Sequence, residues 1–221
     1  MLQEKLPELE SKLVCIPNML DAVAIGQKAG NSPYTGDMLH IVSVGRLAPE
    51  KHFENIIPVA KMLRDMSTDF VWHIVGDGSE QARLESLIVE NDLKDHVILD
   101  RSKTNPYPYM KYADLFVHPS YVESQGLTVL EAMALGVPCV VTKSRGPCEF
   151  IEDGVNGLLT EQSPESLAEE VLAILNDKKL YQHIKENTKC PEQFGPERVI
   201  KQIETMIDLS LIHISEPTRR V

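Results

Sequence analysis

Leu39-His-Ile-Val-Ser-Val44 and Phe70-Val-Trp-His-Ile-Val75 are two short runs rich in β-branched and apolar residues. The segment joining them, residues 54–65, instead repeats its apolar side chains at helical spacing. A strand, an amphipathic helix and a second strand make a βαβ unit. Its strands run parallel because the helix carries the chain back to the end of the sheet where the first strand began. Pro58 fits that helix only within its opening turn, where an N–H is not needed. The rhythm continues with strands expected at 97–99, 114–117 and 139–142, and a short last one at Leu158 and Leu159 after the turn sequence Asp153-Gly-Val-Asn-Gly157. Helices are expected at 79–90, 107–112, 126–135 and 147–152. Ser79 is placed to cap the first of these, with Leu84, Leu87 and Ile88 on its inner face. Ser163-Pro164 sets a capping hydroxyl ahead of a first-turn proline, so a helix should follow through Leu167, Val171, Leu172 and Leu175, with another at 196–209. The fold class is α/β: a Rossmann-like, doubly wound parallel sheet with C-terminal helices.

This pattern occupies residues 18–195. Residues 1–17 stand apart from it: Leu6, Leu9 and Leu13 suit one side of a helix and Val14-Cys-Ile16 suits a strand, but Pro17-Asn18 separates both from the main repeat. Residues 210–221 read as an appended tail rather than part of the fold.

A formal charge of −11 and a pI near 5.1 repel phosphate backbones, and the Lys and Arg residues form no stripe, which excludes nucleic acid as an expected partner. An anionic ligand must therefore be held by a few positioned cations and backbone amides. Cys15, Cys139, Cys148 and Cys190 form no CxxC pair and no zinc spacing with histidine, so free thiols in a reducing cytosol are expected, with no metal. No apolar run approaches a membrane span, and the N-terminus lacks the order of a signal peptide.

Ligands of an open parallel sheet bind beyond the carboxyl ends of its strands, and four loops there are unusual. Gly45-Arg-Leu-Ala-Pro-Glu-Lys51 combines a glycine that admits close backbone approach with two cations, Arg46 and Lys51, suited to a diphosphate. Gly76-Asp-Gly78 reads alone as a tight turn and is not a dinucleotide fingerprint. In His118-Pro-Ser-Tyr-Val-Glu-Ser-Gln-Gly126, Glu123 and Glu131 flank a loop that enters a helix through Gly126, whose N-terminal amides favour an anion. Carboxylates repel phosphate, so both glutamates suit hydroxyl groups; helical side chains lean toward the N-terminus, which lets Glu131 reach the same ligand. The fourth loop is Thr142-Lys-Ser-Arg-Gly-Pro147. His118 ends a strand beside this site and fits a partly buried histidine bonded to backbone better than a catalytic group.

The stretch from Asn105 to Pro138, including His118-Pro-Ser-Tyr-Val-Glu-Ser-Gln-Gly126 and Leu130-Glu-Ala-Met133, resembles the donor-binding signature of the GT-B glycosyltransferases of family 4 (group 1). Val44-Gly-Arg-Leu-Ala-Pro-Glu-Lys51 and Glu149-Phe-Ile-Glu-Asp-Gly-Val-Asn-Gly-Leu-Leu159 resemble the same family at the same relative positions. The resemblance implies a retaining transferase with two Rossmann-like domains, of which this chain is the C-terminal, nucleotide-sugar-binding half. Residues 1–17 would then be a remnant of a missing N-terminal acceptor domain and its linker, and the chain alone would be inactive. It further implies that Gly45, Arg46 and Lys51 hold the donor diphosphate, with Gly76 beside them. Glu123 would contact the transferred sugar as the catalytic-site carboxylate, and Glu131 the ribose. Ser124, Gln125, Gly126, Leu127 and Thr128 would complete the sugar and phosphate contacts, and main chain from Leu99 to Arg101 would meet the base. The family usually has Gly-Phe-Gly where this chain has Ser124-Gln125-Gly126, which puts the loop geometry at the sugar in question.

The function so implied is transfer of a hexose or N-acetylhexosamine to a glycan, lipid-linked glycan or small acceptor. The nucleotide sugar, with UDP favoured, is a substrate, and no cofactor is expected. A cytoplasmic location, peripheral to a membrane through the missing domain, follows from that role, as does self-association through an exposed cut surface at Val199, Ile200, Ile203 and Met206. A non-catalytic sugar-nucleotide-binding module and a sugar-nucleotide 2-epimerase are the competing readings.

Overall fold

The computed structural model describes residues 14–101 and 105–215, with side chains to residue 208. The chain divides into two compact units, one of Ala22–Cys190 and one formed by the segment before Ala22 together with that from Pro191 onward. The first unit holds six strands: β1 (Leu39–Val44), β2 (Phe70–Val75), β3 (Val97–Asp100), β4 (Leu115–His118), β5 (Cys139–Thr142) and β6 (Leu158–Thr160). All pair in parallel in the order β3-β2-β1-β4-β5-β6. The order reverses direction between β1 and β4, which makes the gap between their loops the topological switch point where α/β sheets bind ligands.

Helix α1 (Ala22–Lys28) precedes β1; α2 (Ile56–Asp65), α3 (Gln81–Glu90), α4 (Tyr107–Lys111) and α5 (Leu127–Ala134) lie between strands; α6 (Pro164–Asn176) and α7 (Lys178–Asn187) follow β6. The main core packs Ile41, Phe70, Trp72 and Ile74 of the sheet with Ile56, Val59 and Leu63 of α2, Leu84 and Ile88 of α3, and Leu167 and Val171 of α6. Pro58 does fall in the opening turn of α2. Ser163 caps α6 as its sequence implies, accepting from the Ser166 amide at 3.1 Å.

Several boundaries differ from expectation. Ser79 does not cap α3; the chain enters that helix with the Glu80 amide donating to the Leu47 carbonyl at 3.0 Å, so a backbone contact replaces a side-chain cap. Residues 147–152 give only a 3-10 turn, Pro147–Glu149. Helix α7 follows α6 after a single residue, Asp177, whose carboxylate accepts from the amides of Lys179 at 2.9 Å and Leu180 at 3.1 Å. In the second unit, residues 14–16 form no strand, and helix α8 runs Pro196–Ser215, past the expected end at 209. No Gly or Pro interrupts the sequence there before Pro217. Ile200, Ile203, Met206 and Ile207 of α8 are exposed, whereas Val199 is buried. The helix suggested by Leu6, Leu9 and Leu13 lies outside the described residues. Among them, no helix is long and apolar enough to cross a membrane.

Pairing of β1 with β4 covers only Ile41–Leu115 and Val42–Phe116, although both strands continue, β1 against β2 and β4 against β5. At the point of parting, the buried Ser43 hydroxyl donates to the Val117 carbonyl at 2.6 Å and accepts from Trp72 Nε1 at 3.1 Å.

Candidate functional site

The loops after β1 and β2 are locked together by their backbones, as are those after β4 and β5. The Leu47 amide donates to the Asp77 carbonyl at 2.7 Å. A methyl group on Gly76 would lie 1.9 Å from the Gly45 carbonyl oxygen, and one on Gly78 would lie 2.2 Å from that of Leu47. Gly76-Asp-Gly78 is thus the floor on which the first loop rests, and glycine is required for want of space. The third and fourth loops meet as closely: the Gly146 amide donates to the Glu123 carbonyl at 3.1 Å, and a methyl on Gly146 would lie 2.5 Å from Gln125 Cα. Across the switch point, the Ser120 hydroxyl donates to the Glu50 carbonyl at 3.2 Å, Asn55 Nδ2 donates to the Tyr121 hydroxyl at 3.0 Å, and the rings of His52 and Tyr121 stack at 3.9 Å.

This packing brings Lys51, His118 and Glu123 together. Glu123 Oε1 accepts from His118 Nε2 at 2.6 Å and from Lys51 Nζ. The three side chains are 18% (Lys51), 1% (His118) and 11% (Glu123) exposed. Burial pushes the Glu123 carboxyl up, but the hydrogen bond and charge of His118 and then the bond and charge of Lys51 outweigh it and hold the group at about 2. Glu123 is a fixed anion with a cation beside it.

Gly126 precedes α5 with φ 75°, in the left-handed region, so the chain turns sharply from the Glu123 loop into the helix. The Val129 and Leu130 amides both donate to the Gly126 carbonyl, at 3.0 and 3.1 Å. The amides of Leu127 and Thr128 stand ahead of them, with no carbonyl inside the helix to take. One turn into the helix, Glu131 Oε1 accepts from the Tyr107 hydroxyl of α4 at 3.0 Å. Burial raises the Glu131 carboxyl and the tyrosine bond draws it partly back, while burial and then Glu131 push the Tyr107 phenol up to about 12.

Other expected site residues stand differently. Arg46 is not gathered with Lys51: its side chain is 71% exposed and bonds Glu50 Oε1 at 2.9 Å, an i,i+4 pair on the outside of the loop. Arg101 is likewise exposed, 3.8 Å from Glu85. The Leu99 side chain packs on the core. Gly45 donates its amide to Val75 at 3.1 Å, and Ser124 is exposed while Gln125 and Thr128 are half-buried. Among the described residues no three His, Cys, Asp or Glu side chains group as metal ligands.

A lysine-neutralised carboxylate, an open helix N-terminus and a second carboxylate one turn behind it thus share the crevice at the switch point. The family model for glycosyl transferases group 1 matches residues 31–190, which contain every one of these groups. The chain belongs to the group 1 glycosyltransferases. It is 28% identical over 190 residues to the N-acetyl-alpha-D-glucosaminyl L-malate synthase of Bacillus anthracis, covering 84% of this chain and 49% of that protein. An uncharacterized glycosyltransferase of Methanocaldococcus jannaschii is 31% identical over 156 residues, 70% of this chain and 43% of the relative. The chain therefore spans about half the length of these curated relatives. Among solved structures, Staphylococcus aureus TarM in complex with UDP superposes with a TM-score of 0.77 at 23% identity, over 93% of this chain and 42% of that one. Anabaena HepE in complex with UDP-glucose gives 0.72 at 23% identity, over 89% and 56%. Both likenesses establish the GT-B fold of this glycosyltransferase chain.

Two members of the arrangement, Tyr107 and His118, are absent from the expected donor-binding set. His118 bonds a carboxylate rather than backbone and is fully buried. Its signal in the sequence is its place five residues before Glu123, across the bend at Pro119. Tyr107 stands 24 residues from Glu131 and carries no local signal.

Proposed function

We propose that this chain is the donor-binding half of a retaining glycosyltransferase that transfers a hexose or N-acetylhexosamine from a UDP-sugar to a glycan, lipid-linked glycan or small acceptor. The observation that carries the reading is the juxtaposition of the Lys51–Glu123–His118 group with the open N-terminus of α5. The diphosphate lies between Lys51 and the amides of Leu127 and Thr128, where a cation and a helix dipole offset the acidic surface of the chain. Arg46 joins it by exchanging Glu50 for phosphate. Glu123 accepts from a hydroxyl of the sugar and Glu131 from the ribose, so each carboxylate meets a donor rather than a second anion. As the anomeric bond breaks, charge builds on the leaving diphosphate; the same cation and amides stabilise it, and the acceptor oxygen enters on the face the diphosphate leaves. UDP is favoured because the TarM and HepE structures superposed above hold it.

Acceptor binding is assigned to the part of the relatives that this chain does not match. With one wall of the cleft present, positioning worth an effective molarity of about 10⁵ M or more is lost, so the chain binds donor without detectable turnover. Calorimetry with UDP, GDP, ADP and uridine, followed by an end-point assay with UDP-glucose and UDP-N-acetylglucosamine, tests both statements. UDP should bind with micromolar to millimolar affinity and more tightly than uridine. Failure of all three diphosphates to bind at about 10 mM overturns the donor reading, transfer by the chain alone overturns the division of labour, and recovery of an epimerised donor overturns the reaction type.

A further inference from the structure

Glu123 carries two oxygens, and among the described residues only Oε1 is engaged. Both of its donors, His118 Nε2 and Lys51 Nζ, converge on that atom. The donors differ in how firmly they are held. His118 is the last residue of β4, paired in register with Val141, its ring 1% exposed and lying nearly parallel to that of Phe116 at 6.1 Å. Lys51 ends a three-residue 3-10 turn on a loop, and its ammonium is on a flexible stem at the rim.

The second ring nitrogen fixes the proton. His118 Nδ1 is buried with no hydrogen-bond partner. A ring protonated on Nδ1 alone would bury an unpaired N–H and turn the bare Nε2 lone pair on the carboxylate. The carboxylate can only accept, so Nε2 carries a proton and is the donor of this contact.

We propose that His118 is a positioning residue: its Nε2–H anchors Glu123 Oε1, keeping Oε2 turned to the donor sugar while Lys51 shifts its charge to the diphosphate. The proposal rests on the donor reading for its purpose but not for its geometry. Lys51 cannot satisfy the carboxylate and a diphosphate equally. Without a second, immobile donor the carboxylate would be left buried and poorly paired at the moment the ligand arrives. Among the described residues, the groups acting on this carboxyl are His118 from β4 and Lys51 from the loop after β1.

The experiment uses the 221-residue chain labelled with ¹⁵N in histidine and ¹³C in the glutamate carboxyl. Long-range ¹H–¹⁵N spectra should show a proton on His118 Nε2, before and after UDP is added. The Glu123 carboxyl should titrate higher by about one pH unit or more in His118→Leu. His118→Gln, whose side-chain amide reaches about as far as Nε2, should restore most of the difference, a rescue that mere filling of space would not give. A ring protonated on Nδ1 alone, or an unchanged Glu123 titration in His118→Leu, overturns the proposal. Should His118→Leu not fold, the tautomer and the comparison of His118→Gln with the parent still decide. Absence of UDP binding by the parent counts against the donor reading alone. UDP binding together with an unmoved Glu123 titration counts against His118 alone.

Discussion

Gly146→Ala isolates the contact that holds the third and fourth loops together. Gly146 has φ −60° and ψ −56°, ordinary right-handed geometry that alanine adopts freely. Through the unfolded chain alone, the substitution would stabilise by about 0.4–1 kcal/mol. The added methyl, however, would lie 2.5, 2.6 and 2.7 Å from Cα, C and N of Gln125. Carbon atoms rest at about 3.5 Å or more, so the loops must part by about 1 Å, and backbone on the opposing side offers no rotamer to move. Overpacking of this kind costs about 1–3 kcal/mol, which leaves a net loss of up to about 2.6 kcal/mol. For a chain of this length each kcal/mol lowers Tm by about 2–4 °C. The shift also carries Glu123 and the entrance to α5 away from Lys51, and a displacement of about 1 Å can cost on the order of 10²-fold where geometry matters. Thermal unfolding and UDP calorimetry on the same sample read both effects. A variant that melts at or above the parent and binds UDP equally would refute the reasoning.

Three further outcomes are expected. Lys51→Ala should weaken UDP binding by about 1.5–3 kcal/mol, roughly 10- to 150-fold. Arg46→Ala should cost under about tenfold, because an exposed guanidinium must first exchange Glu50 for phosphate; calorimetry giving equal losses would contradict this ordering. The third concerns acid. Glu123 is held at about 2, below its ordinary 4.5, so its contribution to stability is complete above pH 4.5 and is lost as pH falls toward 2. Urea unfolding at about pH 7, about pH 4.5 and about pH 3 should show a steeper acid loss in the parent than in Glu123→Gln. Parallel losses would show that the carboxylate is not so held.

All six strands were legible in the sequence because each is a short apolar run bounded by turn residues, and periodicity reports such runs directly. Helix α1 escaped because its seven residues bury only Ile25, leaving no stripe to read. Helix α7 escaped because one residue, Asp177, closes α6 and caps its successor, so no loop marks the boundary. At the site, Lys51, Glu123 and Glu131 were legible as charges in loops and helices that follow strands. What was not legible was pairing. Arg46 and Lys51 look equivalent in the sequence, yet the first finds Glu50 on its own loop and the second crosses to Glu123. Similarly, Gly76 and Gly78 read as a turn, since the carbonyls that exclude their side chains belong to a loop 31 residues earlier.

The parting of β1 and β4 has a structural consequence for any ligand in this crevice. Two strands hydrogen-bonded to their ends would bring their loops side by side and leave no room for one. Here the sheet forks two residues before either strand stops, with Val117 buried beside the fork. Ser43 is the peg at the fork: one hydroxyl satisfies the Val117 carbonyl and the Trp72 indole together, spanning three strands where the ladder stops. The fork is thereby closed by a single side-chain oxygen.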